Sequence, residues 1–402
     1  MILTKKFLFL LIIGSLFFVV VKFYSFYSEY SNWQYADWLI NYQGGFVRRG
    51  FIGEILFRIH KISLINLDLL ILIFVIFLYS IFSYFLLKSV KYLKSSYENL
   101  LIILSPGFFL YPVMNSEIVG RKDILLISVF SSLVFLERKI HHKLLLPIFI
   151  IAIVTISLSH SAFVFYIPYF LILYILVKSN RRLIFNLFDL FTFVVISVAL
   201  IFLIQFFNGS QMHIEKICES VINFASKNCG SNDQIAFLNN NLEYYLLEKI
   251  SRKIHLKSYL FIYVLSVFLV FLFISLKLLN SRYTSKFISF KKFNPFLVIC
   301  LLFLFTLPIY ILGLDWGRYI YISFSITYFL YIYCLKNNVL NFYEIKFFNL
   351  KNFNKISLAI FIFFYSFFWT FPFYIEQSTT DYVKNFKLIF SKPLKSIIRK
   401  IN

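Results

Sequence analysis

The segment from Asp37 through Asn41, Gly44, Gly45, Arg48, Arg49, Gly50 and Gly53 to Glu54 gathers two carboxylates, two arginines and four glycines beside long apolar runs. If residues 33–42 form a short helix at a membrane surface, Asp37 and Asn41 are four positions apart and share a face. Gly44 and Gly45 then permit a turn that brings backbone N–H groups near a ligand. Arg48 and Arg49 supply planar forks of donors that match phosphate oxygens, and Gly50 and Gly53 allow the next stretch of chain to pack closely. The chemistry this pattern points to is the gripping of an anionic group at an apolar boundary. The plainer reading is anchoring, with Arg48 and Arg49 on lipid headgroups and Asp37 and Glu54 neutralising them.

Two further constellations carry similar chemistry. The first is Asn115-Ser116-Glu117-Ile118-Val119-Gly120-Arg121-Lys122-Asp123. Glu117 and Arg121 are spaced for an ion pair on a helix; alternatively, Arg121 and Lys122 hold a diphosphate while Glu117 or Asp123 joins the acid/base work. The second, Gly313-Leu314-Asp315-Trp316-Gly317-Arg318-Tyr319, ends an apolar run. Trp316 and Tyr319 suit an interfacial aromatic belt, whereas Asp315 and Arg318 add an acid and another phosphate-matching fork. His160, flanked by Ser159 and Ser161, is either a hydrogen-bonded structural residue or a substrate contact. No Ser/His/Asp order, GxxxxGK[ST] loop or metal-ligand pair appears, which argues against hydrolases and ATP-driven pumps.

The elements that must position these residues are membrane helices. The 402 residues are 60% hydrophobic and only 14% charged, with a mean hydropathy of +0.80. Apolar runs long enough to cross a ~30 Å hydrocarbon core recur along the chain. They fall near residues 7–26, 64–87, 99–114, 123–137, 144–159, 162–177, 183–207, 257–279, 295–313, 319–335 and 356–375. The expected fold is therefore an all-α integral membrane protein with about eleven spans. Residues 1–207 form an amino-terminal module with outer loops at 27–63 and 115–122, and 208–256 form a long outer loop. Residues 257–375 form a second module, and 376–402 a basic outer tail. Lys22, Phe23 and Tyr24 follow the apolar run from Phe7 to about Val21, where a cleavage site would need small residues, so the first span reads as a retained helix rather than a signal.

The net charge of +22 is spread over many short loops rather than one soluble face, which argues against nucleic acid. Lysines and arginines in the loops near 88–94, 138–143, 178–182, 282–292 and 336–355 fit a cytoplasmic side, with the amino terminus inside. The total basic charge divides nearly evenly between the two sides, so this orientation rests on the short loops. It sends most acidic residues, and all the constellations above, to the outer face. Cys300 and Cys334 fall within apolar spans and read as small buried hydrophobes. Cys218 and Cys229 share the long polar loop, where a disulfide would suit an oxidising compartment and free thiols are the alternative.

A first helix followed by an acid-bearing outer loop, with another charged loop between the third and fourth spans, resembles the GT-C membrane glycosyltransferases. The phrase from Asn41 to Gly50, with Gly120-Arg121-Lys122-Asp123 and Asp315-Trp316-Gly317-Arg318, also looks like membrane proteins of bacterial surface-polysaccharide clusters, including O-antigen polymerases. The topology is alike over most of the chain; the motifs are sharp over about thirty residues. The resemblance implies a glycosyltransferase or polysaccharide polymerase in the bacterial inner membrane. It would join a polyprenyl-linked sugar donor to a glycan acceptor at the outer face of the bilayer. Asp37 would be the base, with Glu117, Asp123 and Asp315 as further acids. Asn41, Gly44, Gly45, Arg48, Arg49, Arg121, Lys122, His160 and Arg318 would hold phosphate and substrate. A divalent cation is a possible cofactor by the same resemblance, although the first loop lacks a strict Asp-x-Asp or Asp-Glu pair. The rival from another class is a transporter or flippase of lipid-linked oligosaccharide, which should carry ionisable groups near the bilayer midplane.

Overall fold

The computed structural model describes residues 2–27, 33–93, 96–224, 229–230, 233–240, 256–284, 294–343 and 354–373. The basic tail at 376–402 and the end of the long outer loop lie outside the described residues. The described chain is almost entirely α-helical. Among the described residues, seven helices are long and apolar enough to cross a membrane: Lys6–Ser25, Leu67–Ser89, His142–Ser159, Ser161–Asn180, Leu187–Phe206, Leu260–Leu279 and Pro295–Leu312.

In chain order, α1 is Ile2–Tyr27, α2 Trp33–Leu39, α3 Phe51–Ser63, α4 Leu67–Ser89, α5 Tyr97–Ile103 and α6 Tyr111–Met114. Next come α7 Asp123–Leu136, α8 Leu145–Ser159, α9 Ile167–Asn180, α10 Leu187–Phe206 and α11 Gln211–Ser220. The second half holds α12 Leu256–Leu279, α13 Pro295–Leu312, α14 Trp316–Lys336 and α15 Lys355–Phe367. A short antiparallel ribbon pairs Ser281–Tyr283 with Leu340–Phe342, Arg282 standing opposite Asn341.

Helix α14 is the axis of the bundle. Every residue from Gly317 to Cys334 is buried, and α7 packs along it while α4 covers the other side of α7. A helix surrounded by protein does not have to be apolar towards lipid, which is how α14 carries serines, threonine and many tyrosines. The periphery is the reverse. Leu187, Phe188, Phe191, Val194, Val198 and Phe202 of α10 are all exposed, and an apolar helix turned outwards is matched to a hydrocarbon solvent.

Four of the expected spans take other forms. Residues 99–114 do not make one helix: α5 and α6 are separated by turns in which Phe108 donates its N–H to Ser105 and Tyr111 to Phe108. Pro106 lacks a donor and disfavours helix in the residue before it. Non-helical backbone at membrane depth is tolerated where protein buries it, and Ser105, Phe108, Phe109 and Leu110 are buried. Helix α7 has 14 residues, about 21 Å at ~1.5 Å per residue. Helix α15 has 13, and α14 is long enough but too polar to count among the seven.

Candidate functional site

Helix α2 is short and is tied to its neighbours by its side chains. Tyr35 donates its hydroxyl to Asp68 at the start of α4, and Trp38 donates its indole N–H to the carbonyl of Gly120 at 2.6 Å. Gln34 reaches the carboxylate of Glu117 at 3.3 Å. These ties press α2 against the 115–122 turn. Gly120 makes that turn possible, because it has φ +77° and a Cβ there would collide with the Phe23 ring. Asp37 is thereby fixed beside Lys122.

Lys122 is 0% exposed. Its ammonium donates to the carbonyl of Arg49 at 3.0 Å and lies 3.5 Å from Asp37 Oδ1. Burial pushes the Lys122 pKa down, Asp37 opposes that shift, and Arg49 adds to it. Asp37 Oδ1 is buried against the Lys122 ammonium and has no other polar partner among the described residues.

The adjoining network joins α7 to α14. Arg318 grips Asp123 with its fork, Nε donating at 2.8 Å to each carboxylate oxygen and Nη2 at 2.6 Å to Oδ1. Arg318 Nη1 also reaches Asp315 at 3.4 Å, and Arg121 Nη1 approaches the same Asp315 oxygen at 3.5 Å. Arg121 stacks over the ring of Phe373, 4.4 Å from its centroid, and its Nε donates to the carbonyl of Glu117 at 2.7 Å. Glu117 and Arg121 therefore do not pair through their charged ends, as four-residue spacing on a helix would allow, because the segment between them turns instead. His160 faces this network, with Nε2 3.1 Å from Arg318 Nη2. Burial drives the His160 pKa well below the ordinary imidazole value, and the charges of Arg318, Arg49, Lys122 and Arg121 push it the same way.

The chain between α2 and α3 divides between this site and a latch. Arg49 faces the site: its Nε donates to Ser161 at 3.3 Å and its Nη1 to Gln234 at 2.9 Å. Arg48 turns the other way, to Asn208 at 2.7 Å and to the carbonyls of Asn240 and Phe237 at 2.9 and 3.3 Å. Asn41 donates to Ser220 at 2.9 Å, and Gly44 and Gly45 lie against His213. Helix α2 ends at Leu39, so Asn41 does not share its face with Asp37. Glu54 accepts from the N–H of Tyr42, from Gln43 and from Arg58, rather than neutralising Arg48 or Arg49. Over this stretch lies the segment containing α11, closed by a disulfide between Cys218 and Cys229.

The structure thus brings Asp37, Arg49, Glu117, Arg121, Lys122, Asp123, His160, Asp315 and Arg318 into one neighbourhood and places Asn41, Gly44, Gly45 and Arg48 against the segment around α11. Each of Asp37, Asp123 and Asp315 is turned to a cation. Among the described residues no group of three or more His, Cys, Asp or Glu is arranged to hold a metal ion. Sequence reading missed Asp68, Gln34, Gln234 and Phe373. Asp68 alone left a signal, as an acid in the first turn of an otherwise apolar helix.

No family model, curated protein or solved structure matches this chain.

Proposed function

We propose that the chain is a membrane glycosyltransferase or polysaccharide polymerase, transferring sugar from a polyprenyl-phosphate-linked or diphosphate-linked donor to a glycan acceptor. The observation that carries this reading is the convergence of Arg49, Arg121, Lys122 and Arg318 around His160, with Asp37 alongside, at one end of an apolar bundle. Four cations, in a region from which water is largely excluded, suit the charge that builds on a departing phosphate. Asp37 suits the base, because among the described residues its Oδ1 meets the Lys122 ammonium and no other polar group, which leaves a lone pair for an acceptor hydroxyl. Asp123, gripped by Arg318, is a positioning residue. Asp315 is the most open of the three aspartates, its side chain 27% exposed.

The reading places the site at the outer face of a bacterial inner membrane, on about eleven crossings with a GT-C-like arrangement. Contacts at opposite ends of α7 and α14 support it: Asp123 meets Arg318 at one end and Glu137 meets Lys336 at the other. Ionisable groups gathered at helix ends favour an enzyme over a transporter, whose coupling groups belong near the midplane.

The test is single replacement of Asp37, Arg49, Arg121 and Arg318 by Ala, with lipid-linked and surface glycans profiled in cells. Loss of glycan, or accumulation of lipid-linked single repeats, is the expected result. Normal glycans with all four variants present in the membrane would overturn the assignment.

A further inference from the structure

His160 holds a position that neither of its neutral forms satisfies. Its Nδ1 faces the backbone N–H of Ala162 at 3.2 Å, capping the short 3-10 helix Ser161–Tyr166. Its Nε2 faces Arg318 Nη2 at 3.1 Å. A neutral imidazole has one donor nitrogen and one acceptor nitrogen, whereas here both nitrogens meet donors. With the proton on Nε2 the cap is made and Nε2–H opposes the guanidinium. With the proton on Nδ1 the Arg318 contact is made and the cap is lost. Protonating both satisfies neither contact, and burial among Arg318, Arg49, Lys122 and Arg121 disfavours that form. The missing element is an acceptor beside Nε2–H and Nη2–H.

We infer that one oxygen of a phosphate or diphosphate group binds between His160 Nε2–H and Arg318 Nη2–H, with Arg49 and Lys122 completing the anion site. Arg49 is suited to this role because its guanidinium donates to Ser161 and Gln234, which are both neutral. Arg318 remains anchored on Asp123 through Nε and one Nη2–H, leaving the second Nη2–H to be shared. The inference deepens the proposed function and rests on it only for the identity of the group to which the phosphate is attached.

The Nδ1 and Nε2 roles can be separated with two substitutions. The amide of Asn reproduces the Nδ1 position and is itself a good helix cap; the longer Gln places a donor near Nε2. Inorganic phosphate, inorganic diphosphate and a polyprenyl diphosphate in nanodiscs are titrated against the purified full chain, with thermal unfolding as the check on folding. The expected result is that His160→Asn keeps the wild-type unfolding temperature and binds diphosphate about tenfold more weakly, the size of one hydrogen bond to a charged group. His160→Gln retains more of the affinity. A purely structural cap predicts the same stability for the Asn variant but no loss of diphosphate affinity in it, and that result would overturn the inference. Failure of wild-type protein to bind any of the three anions would overturn it as well. Tighter binding of the polyprenyl diphosphate identifies a lipid carrier as the source, and equal binding of inorganic diphosphate identifies a free anion; either supports the site. If anions bind in this way while the glycan profiles stay normal, the proposed activity fails and the anion site stands.

Discussion

Asp123 and Arg318 show how a site rich in cations can be built in a low-dielectric interior. Their side chains are 1% and 5% exposed, so each charge has lost most of its hydration and depends on the other. Removing one partner of a buried pair leaves the other uncompensated, at a cost of about 3–5 kcal/mol, whereas replacing both by apolar groups of similar volume is often neutral. Asp123→Asn is therefore expected to lower the unfolding temperature in detergent sharply, and Asp123→Leu with Arg318→Met to recover most of it without restoring glycan synthesis. Equal unfolding temperatures for Asp123→Asn and the unaltered protein would show that the pair is not what holds α7 to α14. The double variant separates the two roles of Arg318, since a structural clamp is replaceable by packing and a phosphate ligand is not.

At the scale of elements, Asp37 depends on how tightly α3 presses on the chain leaving α2. A Cβ at Gly53 would overlap the carbonyl oxygen of Ile40 and come 2.7 Å from that of Trp38, and backbone atoms cannot move aside as a flexible side chain can. Gly53→Ala should lower folded yield markedly, while Gly14→Ala in α1, with nothing within 4 Å of the added carbon, should leave it unchanged. Fluorescence-detected size exclusion compares the two, and equal yields would contradict the packing argument. The need for glycine at 53 was legible in the sequence, as was the membrane character of the chain, because both follow from local composition. The break at Pro106 and Gly107 was not, since hydropathy averages over a window and does not register a missing donor. Nor were Gln234 beside Arg49 and Phe373 beneath Arg121, which lie far apart in sequence and meet only through folding. Gly44, Gly45 and Arg48 illustrate the same limit. Their types suit a ligand-binding turn, yet the same turn chemistry serves to dock the segment around α11.

For the whole molecule, the arrangement of charge bears on which way the bundle faces. Helices α7 and α14 run in the same direction and are pinned at both ends. Asp123 meets Arg318 at 2.6 Å at the site end. At the far end the fully buried Glu137 meets Lys336 at 3.1 Å and Arg181 at 3.5 Å, while Arg138 donates to Asn337 at 2.6 Å. The far end thus surrounds one acid with several cations and continues into the basic residues Lys139, Lys143 and Arg182, a bias that belongs on the cytoplasmic side. The site end carries the disulfide-closed segment, which belongs in an oxidising compartment. The two signals are independent and agree in direction. In a background with Cys300 and Cys334 replaced by Ala, Asn240→Cys beside the Arg48 latch at the site end and Lys139→Cys at the far end place single reporters on the two faces. An impermeant maleimide added to intact spheroplasts is expected to label Asn240→Cys and to label Lys139→Cys only after the membrane is opened. The opposite pattern would turn the site to the cytoplasm, where nucleotide-linked rather than lipid-carried sugars are the natural donors, and the choice of a polyprenyl carrier would fall with it.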